Sequence, residues 1–275
     1  MTSYGFLMVA TNKYLELWKK SIKSLLLAES AISNVVIHLF TDQPQEAEAW
    51  WNSLDTKAKL VTYLIPPYKW PEATLYRYKI LKHHIAQIDE DVLIYMDSDM
   101  MVEREFLSSL RPATWLQGIA LVRHPGFYRP GLRNGLWIRC LNPSILMQDL
   151  KFILRLKRGM GSWEEREEST SYVPRLKRRE YVHGAIWMGN NKELRSMISL
   201  LAEHVDCDLM QDIVAVWHDE SHLNWYFSNH KVSLLDCRYS WYSSYSHLSH
   251  ISPYVYSMDK DDMNFQRMVT ANEDN

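Results

Sequence analysis

Three carboxylates and the residues around them carry most of the chemistry this sequence can offer. Asp97 and Asp99 follow directly on the apolar run Val92–Met96. If the extended geometry persists, their side chains fall on one face of the chain. Hard oxygen ligands at that separation suit Mn2+ or Mg2+, and such an ion neutralises a diphosphate; the competing reading is a surface turn with a capping Asp. The second concentration is Val216-Trp217-His218-Asp219-Glu220-Ser221-His222-Leu223-Asn224. Asp219 and Ser221 could cap the helix that Leu223, Tyr226 and Phe227 continue. His218 and His222 have the i, i+4 spacing of a zinc pair, but the residues between them do not make H-E-x-x-H. Two adjacent acids near a helix start point instead to polar recognition and catalysis. His124-Pro125-Gly126-Phe127-Tyr128 and His183-Gly184-Ala185 set small residues beside a histidine. That allows a ligand to approach closely, and equally serves tight packing against a helix.

The elements that must hold these groups are legible in the first half of the chain. Phe6–Ala10 predicts a strand, and Thr11-Asn12 a turn. Leu15, Trp18, Ile22, Leu25 and Leu26 then recur at helical spacing. Val35–Phe40 is a second strand closed by Thr41-Asp42-Gln43-Pro44, and Pro44–Leu54 a helix. Leu60–Ile65 is a third strand, Glu72–Ile88 a helix, and Val92–Met96 a fourth strand, near-continuously apolar as a doubly covered parallel strand should be. This order predicts an α/β fold, a mostly parallel twisted sheet with helices on both faces, in which ligands sit beyond the carboxyl ends of the strands. Further on, Ile119–Val122, Gly184–Met188 and Val232–Leu235 read as strands. Leu194, Met197, Leu201 and Val205 share a helix face. The charged stretch Arg155–Glu180 reads as a solvated loop, with a mobile lid as the sharper alternative.

Composition bounds the function. The chain has 275 residues, 47% hydrophobic and 23% charged, enough for one large α/β domain or two small ones. A net charge of −2 excludes bulk attraction to nucleic acid or to anionic membrane as its main business. Cys140, Cys207 and Cys237 are odd in number, without CxxC spacing, which predicts a reducing compartment. The start has no basic n-region, and no apolar run approaches the ~20 residues of a membrane span. The expectation is a cytoplasmic protein without a membrane anchor. Eleven Trp and sixteen Tyr offer flat rings of the kind sugar faces stack on, although core packing uses them equally.

Taken together, these segments resemble glycosyltransferase family 6, the family of the histo-blood-group A and B transferases and the α1,3-galactosyltransferase. The resemblance runs, in the family's order, through Phe40-Thr41-Asp42-Gln43-Pro44, His124-Pro125-Gly126-Phe127-Tyr128, Tyr172-Val173-Pro174 and Tyr181-Val182-His183-Gly184-Ala185. It ends on Ala215–Asn224, which looks nearly identical to the family's most specific signature. The resemblance implies a GT-A fold in a single domain: a nucleotide-binding half over residues 1–100, an acceptor and catalytic half over 101–245, and a tail over 246–275 that closes over the donor. It implies a metal at Asp97 and Asp99, with Mn2+ or Mg2+ bridging the diphosphate of a UDP-sugar. Donor contacts carry over to Ala10, Tyr14, Arg77, Ser98, His183, Gly184, Ala185 and Asp219, and in the tail to Lys260 and Arg267. Acceptor contacts carry over to His124 and Trp217, and the catalytic carboxylate to Glu220. The chain departs from the family at Val9, where a Phe is usual, and at Trp241-Tyr242, where Trp-Asp is usual. It keeps both aspartates of D-x-D, as some soluble bacterial or viral members do.

The activity so implied is metal-dependent transfer of galactose or N-acetylgalactosamine to the 3-hydroxyl of a galactose-type sugar, with retention. His183 and Ala185 favour galactose, and Gly184 reopens space. Two other readings fit the same residues: a UDP-sugar hydrolase, and a carbohydrate- or nucleotide-binding protein without transfer activity.

Overall fold

The computed structural model describes residues 2–30, 32–69, 71–130, 132–155 and 160–258. Its strands are β1 (Tyr4–Val9), β2 (Val35–Thr41), β3 (Lys59–Leu64), β4 (Val92–Met96), β5 (Met100–Val102), β6 (Ile119–Arg123), β7 (Val182–Asn190), β8 (Ser233–Leu235) and β9 (Val255–Ser257). Its helices are α1 (Tyr14–Ala28), α2 (Pro44–Trp51), α3 (Glu72–Leu75), α4 (Arg77–His84), α5 (Leu132–Leu141), α6 (Pro143–Arg155), α7 (Asn191–Leu209) and α8 (His218–Asn229). Seven strands form one sheet in the order β3-β2-β1-β4-β7-β6-β8. β1 pairs in parallel with β2 and β4, β2 with β3, and β6 with β8. Only β7 runs antiparallel to its neighbours, β4 and β6. This is the mixed, mostly parallel sheet expected, consistent with a single GT-A-like domain.

Alternation along the strands builds a core on each face of the sheet. Phe6 and Met8 of β1 point to one side, where Trp18, Ile22 and Leu25 of α1 and Ala47 and Trp51 of α2 cover them. Leu7 points to the other, with Leu81 of α4, Leu201 of α7 and Phe227 of α8. β4 is buried along its whole length, as its unbroken apolar run predicts.

Three features differ from the sequence expectation. The helix expected over Glu72–Ile88 is broken at Tyr76 (φ −90°, ψ 5°) into α3 and α4, so Arg77 opens a new first turn. The helices α5 and α6, and the two-stranded sheet of β5 with β9, were not expected from the sequence. The described part of the charged stretch is not a solvated loop. Trp163, Glu164, Ser169, Ser171 and Val173 are buried, and Asp208 of α7 accepts hydrogen bonds from the Ser169 hydroxyl (2.6 Å) and the Thr170 N–H (2.6 Å). These buried contacts fasten residues 163–173 to the body of the protein as a strap.

Candidate active site

Beyond the carboxyl ends of β1 and β4 lies a cleft of about 970 Å³, whose wall includes Tyr14, Arg77, Asp97, Ser98 and Asp99. The first βα turn shapes one side of it. Asn12 adopts the left-handed conformation (φ 55°), which a short polar side chain tolerates. Its N–H donates to Asp42 Oδ1 (2.9 Å), and the Thr11 hydroxyl donates to the Tyr68 carbonyl (2.8 Å). Ala10 is buried in the core with its N–H on the Phe40 carbonyl, so the side chains at the cleft come from Val9, Thr11 and Tyr14 around it.

One buried cation joins this cleft to the distant half of the chain. Arg77 Nη2 donates to Asp97 Oδ1 (2.8 Å), while Nη1 donates to Asp219 Oδ2 (2.5 Å) and to the Gly184 carbonyl (2.9 Å). Tyr95 stacks under the guanidinium at 4.5 Å and donates its hydroxyl to Asp97 Oδ1 (2.7 Å). The Trp187 indole N–H and the Tyr78 hydroxyl close the arrangement on the carbonyls of Gly184 and Asp219. Asp219 is therefore an ion-pair partner rather than a helix cap. The capping contact belongs to Ser221, whose hydroxyl accepts the Trp217 N–H (3.0 Å).

Glu220 sits one residue on, with Oε2 accepting the Gly184 N–H at 2.8 Å. A Cβ at Gly184 would stand 3.2 Å from the Glu220 Cβ and 3.3 Å from Asp219 Oδ2. The two acidic side chains thus occupy the space above Gly184, and a side chain there would crowd both of them. Burial pushes Glu220 up to about 8, opposed by the Gly184 N–H and the Tyr181 hydroxyl and assisted by Asp219. Burial likewise raises Asp219 to about 7 against the pull of Arg77. The backbone that delivers both acids is strained: His218, at the head of α8, has φ 45°.

On the far side of Glu220 stand two histidines. One ligand-type atom each of His124, His183 and Glu220 lie within 4.8 Å of one another, the one such three-residue group among the described residues. Its chemistry is not that of a metal centre. The Gly126 N–H donates to His124 Nδ1 (3.0 Å), so the proton of the neutral ring sits on Nε2. A metal-binding histidine normally donates from its other nitrogen; here that nitrogen accepts. Burial, and next the neighbouring His183, hold His124 well below its usual pKa, which keeps it a neutral N–H donor aimed at the cluster. His183 Nδ1 is hydrogen-bonded to the Ser240 hydroxyl. Phe127 and Tyr181 pack against the His124 ring, and Trp217 is 52% exposed beside the acids in sequence. The zinc spacing of His218 and His222 builds nothing: His222 is fully buried, 3.8 Å from Asp208.

The strap holds the approach to α8. Glu164, 3% exposed, accepts the Val216 N–H on Oε2 (2.9 Å) and the Arg166 N–H on Oε1 (3.0 Å), while Arg166 donates to the Val214 carbonyl (2.6 Å). Although burial raises its pKa, hydrogen bonds from Arg166 and Val216 win and draw Glu164 down to about 2.

Of the residues singled out in the sequence, Arg77, Asp97, Gly184, Asp219 and Glu220 meet in one network. His124 and His183 meet beside it, and Tyr14, Ser98 and Asp99 line the cleft. Ala185 lies in the core and gives its carbonyl to the Asp97 N–H (2.8 Å). Lys260 and Arg267 lie outside the described residues, which end with Met258 bonded to the Asp99 carbonyl (2.8 Å). Tyr95 was not singled out, yet it stands two residues before Asp97 on β4, on the same face. Tyr181 opened one of the motifs of the resemblance without a role of its own, and Glu164 and Ser240 had no such signal.

The model of glycosyltransferase family 6 matches residues 145–268. The chain is 26% identical over 249 residues, 87% of its length and 64% of the relative's, to histo-blood group ABO system transferase 2 of Rattus norvegicus. It is 34% identical over 83 residues, 30% of its length and 36% of the relative's, to the O-antigen biosynthesis glycosyltransferase WbnI of Escherichia coli. It is 24% identical over 242 residues, 86% of its length and 61% of the relative's, to globoside alpha-1,3-N-acetylgalactosaminyltransferase 1 of Gallus gallus. The chain spans 64% and 61% of the length of the two rat ABO transferases that it matches.

Proposed function

We propose that this chain is a member of glycosyltransferase family 6, and that it moves galactose or N-acetylgalactosamine from a UDP-sugar to the 3-hydroxyl of a galactose-type acceptor with retention. The family match and the three relatives, all named as transferases or glycosyltransferases, support the reading. The observation that carries it is the buried Arg77, which ties the carboxylate at the end of β4 to the first turn of α8. Arg77 lines the cleft and is bonded to Asp219, the neighbour of Glu220 in sequence.

Asp97 and Asp99 fit a divalent ion, Mn2+ or Mg2+, because one or two carboxylates hold such an ion when phosphate oxygens and water complete its shell. Bound there, the ion supplies electrostatic stabilisation to the departing diphosphate. Arg77 adds a fixed positive charge in a dry wall, where it costs no reorganisation. Glu220, braced by the Gly184 N–H, faces the sugar as nucleophile or as the charge opposing the oxocarbenium ion. Either role requires the ionised form, so proton loss from a group at about 8 is part of its function. His124 donates from Nε2 to an acceptor hydroxyl, and Trp217 offers a ring face at the mouth. Between donors, galactose is favoured: His183 restricts room, Ala185 being turned into the core, and the face of Gly184 that would admit an N-acetyl group is covered by Glu220.

UDP release measured with Mn2+, both UDP-sugars, and with or without lactose-like or fucosylated acceptors tests the reading. Acceptor-stimulated release with the sugar found on the acceptor is expected. Free sugar formed at a rate blind to acceptor would mean a hydrolase, and nucleotide binding without turnover a binding protein. Glu220→Gln should lower turnover on the order of 10³-fold with donor affinity nearly unchanged; wild-type turnover in that variant refutes the assignment.

A further inference from the structure

The helices α5 and α6 form a hairpin whose amphipathicity is inverted. On α6, Ile145, Gln148, Asp149 and Phe152 face the body of the protein, and three of these contacts are polar or ionic. Gln148 donates to the Gly126 carbonyl (3.2 Å) and meets His247 (3.3 Å), while Asp149 pairs with Arg129 (2.8 Å) and Arg139 (2.6 Å), and Arg129 lies over the Phe152 ring. Leu146, Met147, Leu150, Ile153 and Leu154 recur at i, i+1, i+4, i+7 and i+8, which draws one stripe along the helix. All five point outward and are 47–74% exposed. Leu136, Trp137 and Leu141 of α5 extend the apolar surface, at 66%, 82% and 82% exposed. A run of this kind on a soluble surface marks a docking site.

Charge selects what docks. Between residues 132 and 158 the sequence carries Arg133, Arg139, Lys151, Arg155, Lys157 and Arg158 against the single acid Asp149; that acid is spent on Arg129 and the buried Arg139, and Lys151 stands exposed beside the stripe. In a chain of net charge −2 this segment is locally basic. A second copy of the chain would bring the same basic sequence against itself. An anionic lipid surface meets both features, since aliphatic side chains and Trp137 enter the headgroup boundary while Lys and Arg remain at the phosphates. We propose that the α5–α6 hairpin is an interfacial membrane anchor that docks on anionic bilayers. It lies in the surface rather than across it: among the described residues no helix is long and apolar enough to span a membrane. The hairpin is rooted on Gly126, two residues from His124, so docking holds that side of the site close to the bilayer. The docking itself does not depend on the catalytic reading.

Vesicle flotation of the full chain tests the proposal, using phosphatidylcholine alone and phosphatidylcholine mixed with phosphatidylglycerol. The wild type should float with the anionic vesicles, remain behind with the zwitterionic ones, and be released by high salt. Leu150→Glu/Ile153→Glu should weaken partitioning roughly tenfold or more, and Lys151→Gln roughly fivefold, with the circular dichroism spectrum unchanged because these side chains are exposed. A wild type that stays behind with anionic vesicles overturns the proposal. Light scattering then separates the causes: a dimer dispersed by Leu150→Glu/Ile153→Glu means a second copy covers the stripe, and a monomer means it is covered from within the chain.

Discussion

The cleft and the catalytic corner are built on opposite plans. At the cleft, Thr11, Asn12, Tyr14 and Asp42 come from the first two βα units, and Asp97 and Asp99 from the strand paired directly with β1. Each group is delivered by the element that its own neighbours in sequence form. The corner instead assembles Gly184, the pair Asp219 and Glu220, His124 and Ser240 from four separate segments, held by single contacts such as Arg77 to Asp219 across 142 residues and Glu164 to Val216 across 52. The contrast teaches where each half is vulnerable. The cleft rests on a continuous apolar core, and the corner on a few buried ionic bonds whose loss leaves uncompensated charge.

Arg77→Ala is the sharpest way to break that contrast, because it removes the one side chain common to both halves. Asp219 would remain buried without its counterion, a loss of about 3–5 kcal/mol, which lowers the melting temperature by roughly 6–10 °C. Urea titration of the variant against the wild type measures it. Unchanged stability would mean that the two halves are coupled by packing alone. Gly184→Ala comes next. Its Cβ meets Glu220 and Asp219 at 3.2 and 3.3 Å and must displace one of them, which costs about 1–3 kcal/mol. Turnover should fall roughly tenfold to a hundredfold through misplacement of the acids, with nucleotide affinity unchanged by calorimetry. Equal loss of nucleotide affinity would erase the distinction between the two regions.

The same contrast decides what was legible beforehand. Strand and helix order over residues 4–96 follows from local periodicity, because each apolar run there is covered by its chain neighbours. The D-x-D position follows from β4. Tyr95 was readable by the two-residue repeat of a strand. The split at Tyr76 was not, since the apolar pattern of residues 72–88 continues through it while the backbone turns to aim Arg77. α6 also had its signals, Pro143 at a helix start and the stripe from Leu146 to Leu154, but the stripe faces away from the protein. Resemblance supplied Glu220 and Asp219 as a pair. It was silent on Glu164 and Ser240, whose roles exist only through partners 52 and 57 residues distant.

Glu164→Ala sharpens the comparison within the corner itself. The variant strips the Val216 N–H of its acceptor, one residue before Trp217, while leaving Arg77 and Asp97 untouched. A lost hydrogen bond to a charged group is worth about 1.5–3 kcal/mol, so acceptor KM should rise roughly tenfold or more as Trp217 loosens. Donor KM should hold, and Glu164→Gln, which keeps one acceptor oxygen, should recover part of the loss. Initial rates with each substrate varied in turn show it; a rise in donor KM alone would mean that the strap serves the cleft instead.

The smallest effect lies in the pH dependence of stability, where strap and acid pair move in opposite directions. Glu220 is raised to about 8 in the folded protein from an ordinary 4.5. Between those values the folded state holds a proton that the unfolded chain has shed, so stability falls as pH rises through that window. Glu164, drawn down to about 2, behaves in reverse: the unfolded chain takes up the proton first, and stability is lost as pH falls from about 4.5 towards 2. Melting curves of the metal-free protein from pH 3 to pH 9 should therefore show a decline on both flanks. Glu220→Gln should lessen the alkaline decline, leaving the part that Asp219, raised to about 7, contributes, and Glu164→Gln should lessen the acid one. If Glu220→Gln left the alkaline flank as steep as in the wild type, Glu220 would be ionised at neutral pH before any donor arrives, and the proton loss that its catalytic role requires would already be complete.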